Sequence, residues 1–231
     1  DVTLNNNSTA SSPGNGGGLH ITGAGDSNIG NCIVTNNTAS SEGGGLWNSS
    51  GTMTVTGTTV NSNTASGAAA NEGGGGIFNA GGTLIIGTSI INDNTVTGAS
   101  ASGGGILNDM GTLTVTNTEI SGNTSIRAGG GIEDNSVAGN MLTLTDVTLN
   151  NNSTASSPGN GGGLHITGPG DSNIGNCIVT NNSASLEGGG LWNGSGTMTV
   201  TGTTVNSNTA SGAAANEGGG GIFNAGGTLT I

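Results

Sequence analysis

The clearest pattern along the chain is a strict alternation of polar and apolar positions. Residues 112–116 read Thr-Leu-Thr-Val-Thr, which puts Leu113 and Val115 on one face and three threonines on the other. Alternation with β-branched residues predicts a strand with one buried face. The pattern returns at 52–56, 141–145 and 197–201, and in looser form at 83–87. Residues 103–124, GGGILNDMGTLTVTNTEISGNT, show the whole unit around it. A glycine triplet is followed by an apolar residue, a variable residue and Asn. A Gly-containing turn then leads to the alternating strand, to a second short strand Thr-Glu-Ile, and to a closing Asn123. The unit reads as three short strands separated by turns, and no helical period interrupts it.

The glycine triplet followed by Leu or Ile arrives at Leu19, Leu46, Ile77, Ile106, Ile132, Leu164, Leu191 and Ile222, at spacings of 26–32 residues. A longer period contains this one. Residues 1–86 recur as 146–231, an offset of 145, with five changes: Ala24 to Pro169, Thr38 to Ser183, Ser41 to Leu186, Ser49 to Gly194 and Ile85 to Thr230. Five short repeats therefore make one long repeat. A unit this small cannot bury a face alone and must stack on its neighbours. The pattern predicts an all-β parallel β-helix (β-solenoid) of about eight coils, one continuous body over 1–231. Its length would be roughly 35–40 Å at an inter-strand spacing of about 4.8 Å. Asp1 and Ile231 both fall inside strands, so the expectation is a stretch of a longer tandem array, or an end that stacks on neighbouring copies.

Aligning the coils assigns an inside and an outside. Leu113, Val115 and Ile120 point inward, between Leu84, Ile86 and Ile91 on one side and Leu142, Leu144 and Leu149 on the other. A closing Asn recurs at Asn7, Asn37, Asn63, Asn94, Asn123, Asn152, Asn182 and Asn208. A second Asn column follows the first strand at Asn48, Asn79, Asn108, Asn193 and Asn224. Stacked amides can satisfy one another, so both columns are read as structural ladders. Cys32, Thr58, Ser89, Thr118 and Val147 form a further inward column of small residues. Cys32 and Cys177 occupy the same place five coils apart, about 24 Å, too far for a disulfide, whose Cα atoms must lie within ~7 Å.

The segments 73–86, GGGGIFNAGGTLII, and 103–124 resemble the right-handed parallel β-helix repeats of bacterial surface proteins. They are most similar to the Gly-Gly-Ala-Ile and Phe-x-x-Asn repeats of polymorphic outer membrane proteins and related secreted adhesins. A third Gly stands where that family usually has Ala. The resemblance covers essentially the whole chain and implies right-handedness, which the crossover rule for parallel strands also favours. It also implies placement outside a bacterial cell, at its surface. The expected work is mechanical: a stiff stalk, adhesin shaft or filament.

Composition narrows the partners. Of 231 residues 50 are Gly and 13 are acidic, there is no Lys, and Arg127 is the single basic side chain, giving a net charge of −12. Nucleic acid and anionic membrane surfaces need clustered Lys and Arg and are disfavoured, so no nucleic-acid partner is expected. No apolar run reaches the ~18 residues of a membrane-spanning helix. The remaining expected partners are other copies of the chain, by end-to-end stacking or lateral packing, and glycans or a host or neighbouring cell surface.

Candidate chemistry is sparse. The outward residue of the first strand is in turn His20, Trp47, Phe78, Leu107, Glu133, His165, Trp192 and Phe223, a column that collects every aromatic side chain. Leaving out Glu133, this is read as a contact ridge, for a neighbouring solenoid or for sugar rings, unless excursions such as 64–73 fold over it. His20 and His165 are taken as surface positions. The chain is expected not to be an enzyme. Polyuronate cleavage needs a cationic or metal stabiliser and a base. Glycosidase chemistry needs two facing carboxylates, whereas Glu133 and Asp134 fall on opposite faces of one strand. No cofactor motif is present. A Ca²⁺ shared by stacked carboxylates, Glu42 with Glu72 or Glu187 with Glu217, is left open, and the fragments GAGDSN (23–28) and GPGDSN (168–173) only partly match a calcium-binding repeat. The outward threonines at 52–56, 112–116 and 143–145 form a Thr-x-Thr surface similar to some ice-binding faces. Ile85 and Gly87, and Asp26, Asn28 and Gly30, interrupt it.

Overall fold

The computed structural model describes residues 1–11, 14–156 and 158–231. Among these residues the regular elements are thirty-two strands, arranged as four eight-stranded sheets in which neighbours run parallel. The coil at 46–65 shows the plan. Leu46–Asn48 belongs to sheet 1, Thr52–Thr56 to sheet 2, Thr59–Asn61 to sheet 3 and Thr64–Ala65 to sheet 4. Each strand pairs with its counterparts one coil before and one coil after, so Phe78 lies between Trp47 and Leu107. The result is a parallel β-solenoid of eight coils.

Sheet 4 is a departure from the expected three strands per coil. Its strands are two residues long, as in Thr64–Ala65 between Thr38–Ala39 and Thr95–Val96. Two residues cannot display a period of two, so the alternation that marked the other strands carried no sign of this one. Its inward column is small, Ala39, Ala65, Val96, Ser125 and Ala184, all fully buried.

The core is one rope of side chains. Sheet 1 contributes Leu46, Ile77, Ile106, Ile132, Leu164 and Leu191; sheet 2 contributes Leu84, Ile86, Leu113, Val115, Leu142 and Leu144; sheet 3 contributes Val60, Ile91, Ile120 and Leu149. All have no exposed surface. Full burial of each such side chain stabilises by about 1.5–3 kcal/mol.

Two corners of every coil turn on a single left-handed residue. Between sheets 2 and 3 these include Asn31, Thr88, Asn117, Asp146 and Asn176, with φ from 45° to 54°; between sheets 3 and 4 they include Asn6, Asn36, Asp93, Asn151 and Asn181, with φ from 54° to 57°. Asn and Asp tolerate this conformation best among residues with a Cβ, which explains the recurrent Asn-Asn and Asp-Asn pairs. The glycine triplet has a different cause. Gly43 turns with φ +63°, and a Cβ on Gly45 would lie 2.7 Å from the carbonyl oxygen of Gly76 in the next coil. The coils approach so closely there that no side chain fits without displacement.

The closing asparagines form a complete ladder. In each interior rung the side-chain oxygen accepts two hydrogen bonds from the preceding Asn, and the amide donates to the next Asn and to a carbonyl. For Asn123, Oδ1 accepts from the backbone N–H and Nδ2 of Asn94 at 3.0 Å each, while Nδ2 donates to Asn152 Oδ1 at 2.9 Å and to the Ile91 carbonyl at 3.0 Å. The column of small residues is a second ladder, of hydroxyls. The backbone N–H of Cys32 donates to Thr58 Oγ1, that of Thr58 to Ser89 Oγ, and that of Ser89 to Thr118 Oγ1, at 3.2–3.3 Å. Cys32 and Cys177 are free thiols within it.

The seam between the two long repeats is indistinguishable in register from any other rung boundary. Ile132, Glu133 and Asp134 pair with Leu164, His165 and Ile166, and Leu142 and Leu144 pair with Ser172 and Ile174.

Candidate functional site: the outer face of sheet 1

The outward residues of sheet 1 form a column in register from His20 to Phe223. Its aromatic members stack. Trp47 and Phe78 have ring centroids 6.3 Å apart and planes 4° apart, Trp192 and Phe223 repeat this at 6.4 Å and 9°, and His165 stacks on Trp192 at 4.1 Å. His20 meets Trp47 edge-on at 4.3 Å.

Accessibility divides the column. His20 is exposed and Trp47, Trp192 and Phe223 are half-buried. Phe78, Leu107, Glu133 and His165 are only 1–3% exposed. The excursion that begins after Thr64–Ala65 brings Ala70 and Asn71 against the middle of the column, beside Leu107 and Glu133. Its turn is closed by Glu72, which accepts the Ala69 N–H at 2.8 Å, and the equivalent Glu217 accepts the Ala214 N–H at 2.7 Å. Placing His165 at the surface is therefore corrected. It is buried because the preceding coil lies against it, with Glu133 directly opposite.

His165 sits in a cluster that holds the ion pairs found among the described residues. Its Nδ1 lies 2.7 Å from Glu133 Oε2, the Thr167 hydroxyl donates to Glu133 Oε1 at 2.6 Å, and Arg127 Nη1 lies 3.8 Å from the same oxygen. Arg127 also donates to Ser102 Oγ at 2.9 Å. Burial alone would push the Glu133 carboxyl up, but His165, the Thr167 hydroxyl and Arg127 together hold it below its ordinary value. The cluster does not make a nucleophile relay. Thr167 and Glu133 both approach the same imidazole nitrogen, at 3.0 and 2.7 Å, whereas a relay needs one partner on each ring nitrogen.

The neighbouring Asp134 points the other way, into the solenoid. It ends the second Asn ladder, which runs from Asn48 through Asn79 and Asn108; Asn108 Nδ2 donates to Asp134 Oδ1 at 2.6 Å and Ser136 donates to Oδ2 at 2.7 Å. The next coil has Ile166 in this place. Burial raises the Asp134 carboxyl to about 6, against the pull of those two hydrogen bonds. Sequence alignment left Asp134 out of the ladder because it is not Asn, although its position in the repeat marks it.

The stacked glutamates are engaged within the protein. Glu42 Oε2 accepts the Trp47 indole N–H at 2.8 Å and Asn15 Nδ2 at 3.1 Å, Glu187 accepts Trp192 at 2.8 Å, and Glu72 Oε1 accepts the Ser41 hydroxyl at 3.3 Å. Burial raises the Glu42 carboxyl, Trp47 pulls it back, and the charges of Glu72 and Asp109 add to the rise. Among the described residues no three His, Cys, Asp or Glu side chains converge as a metal site. The threonine surface of sheet 2 is in register, with Thr54, Ile85, Thr114 and Thr143 in one column. Ile85 and also Met141 stand 38% and 42% exposed on it.

Residues 31–49, from the third strand of one coil through the first strand of the next, match the Chlamydia polymorphic membrane protein repeat. No curated protein and no solved structure matches the chain. The repeat match and the stacked parallel sheets together make this a β-helix repeat protein like those of the polymorphic membrane protein family.

Proposed function

We propose that the chain is a stretch of a stiff, non-catalytic shaft displayed at a bacterial surface. The observation that carries this reading is the unbroken register of all four sheets across the seam between long repeats. A fifth coil that accepts the recurrence of the first without adjustment lets the rod lengthen by duplication of 145 residues. Three side-chain ladders and four sheets of axial hydrogen bonds supply stiffness without a wide core. The Chlamydia polymorphic membrane protein repeat supports placement at an outer membrane or cell surface. The opposite orientations of Glu133 and Asp134 support the absence of glycosidase chemistry. Further copies, in the same chain or as separate chains, would extend the rod by the same edge pairing.

The alternative of a glycan-binding aromatic ridge draws little support from the geometry. Phe78 is covered, and the indole N–H of Trp47 is committed to Glu42. Electron microscopy of the native surface material tests the shaft. Rods with an axial period of about 24 Å, five coils of about 4.8 Å, are expected; short dispersed particles would refute the shaft.

A further inference from the structure

The geometry points to a site for one neutral, hydroxyl-rich ring, a single pyranose, on the outer face of sheet 1 where the excursion at 66–72 overhangs the coils of Leu107 and Glu133. A pocket of about 130 Å³ lies there. Leu107 lines it, and Asn71, Asp109, Arg127, Glu133 and Asn135 supply its polar groups. Such a site is independent of the shaft role, since a rod can be plain or can carry a binding point at one level of each long repeat.

The polar groups divide into those already satisfied and those still available. Each Glu133 oxygen is engaged by one hydrogen bond, to His165 or Thr167, and its charge, 3.8 Å from Arg127, holds the guanidinium at the pocket wall. Asp109, 8% exposed, accepts Asn135 Nδ2 at 2.7 Å through Oδ1 only. Among the described residues its second oxygen, the Asn135 side-chain oxygen and the Asn71 side-chain amide have no side-chain partner. The same holds for the guanidinium N–H groups of Arg127 other than the one that reaches Ser102. A carboxylate oxygen beside amide and guanidinium donors is the complement of adjacent hydroxyls, each of which both donates and accepts. Leu107, 1% exposed, lies at the base of the pocket and leaves the polar groups as the contacts for a ring.

Size and charge narrow the occupant further. The pocket is well below the ~300–1,000 Å³ of sites for drug-sized ligands, so it fits one ring and not an oligosaccharide. Two carboxylates and one guanidinium line the pocket, which disfavours a uronate or a phosphate by like-charge contact and leaves a neutral ring as the better match. The lining residues come from the excursion at 66–72 and from successive coils, so no contiguous motif announces them.

The test is saturation-transfer NMR on the whole chain with the methyl glycosides of neutral hexoses at up to about 20 mM, a range suited to millimolar affinity. The same sugars presented as the non-reducing ends of immobilised oligosaccharides distinguish a glycan terminus from a free sugar. Binding of at least one neutral hexose is expected, weakened about tenfold by Asp109→Ala and severalfold by Asn71→Ala, with Trp47→Ser unchanged. Asn71 is exposed, so its variant keeps the fold even where Asp109→Ala does not. Absence of binding by every neutral hexose, tighter binding of the corresponding uronate, or binding indifferent to Asn71→Ala and Asp109→Ala would overturn the assignment.

Discussion

Asp134 shows how much a single atom can decide in this fold. It occupies a rung of an otherwise asparagine ladder and must be buried as a carboxyl. Its folded pKa of about 6 lies above the ordinary 3.8, so the native state binds the proton more tightly than the unfolded chain. Stability from this group is full below pH 4, falls as pH rises to 6, and stays low above. Asp134→Asn restores the ladder chemistry and should stabilise by about 2–3 kcal/mol at pH 7 while changing little at pH 4. Denaturant unfolding at the two pH values measures the difference. Thr88 is a second residue at odds with its place. It holds φ 50° at a corner where other coils place Asn, Asp or Gly. Thr88→Asn should raise stability by about 1 kcal/mol, read from the unfolding midpoint, because a β-branched residue is strained there.

At the scale of the element, the ladders behave as units whose interior rungs matter more than their ends. Asn123→Ala removes four hydrogen bonds and strands buried partners in the coils on both sides. The expected loss is about 3–4 kcal/mol. Asn7, exposed, only donates to Asn37, and Asn7→Ala should cost less than about 1 kcal/mol by the same assay. The boundary between the coils of Glu133 and His165 is the ladder's electrostatic counterpart. The folded pKa of Glu133 is depressed, so its contribution is present above the ordinary value of 4.5 and is lost as pH falls through the lower folded one. Hydrogen exchange at decreasing pH should therefore show the amides of 132–135 and 164–167 losing protection before those of 77–79. Equal loss along the rod would remove the special role of this boundary.

For the whole molecule, much was legible because a repeat states its own alignment. Alternation in Thr-Leu-Thr-Val-Thr fixed inside and outside, and the recurrence of Asn123 and its counterparts located a buried ladder before any contact was seen. The fourth sheet was invisible for want of length. The cover beside Leu107 was only one of two open readings, since nothing local to residues 66–72 says where the excursion lies. The ionic cluster was missed because Arg127, Glu133 and His165 were judged separately, by their own neighbours in sequence. Each is unremarkable until a coil boundary brings them within 4 Å.

The sequence by itself thus determined the period, the parallel stacking and the inward columns of the three longer sheets, because each coil need only match the next and the rule repeats. Which outward residues remain open to solvent was decided by tertiary structure alone. An excursion carries no periodicity, and its resting place depends on the sum of weak contacts with coils that lie far from it in the chain. That is why the ridge was legible as a column, and its burial at Leu107, Glu133 and His165 was not.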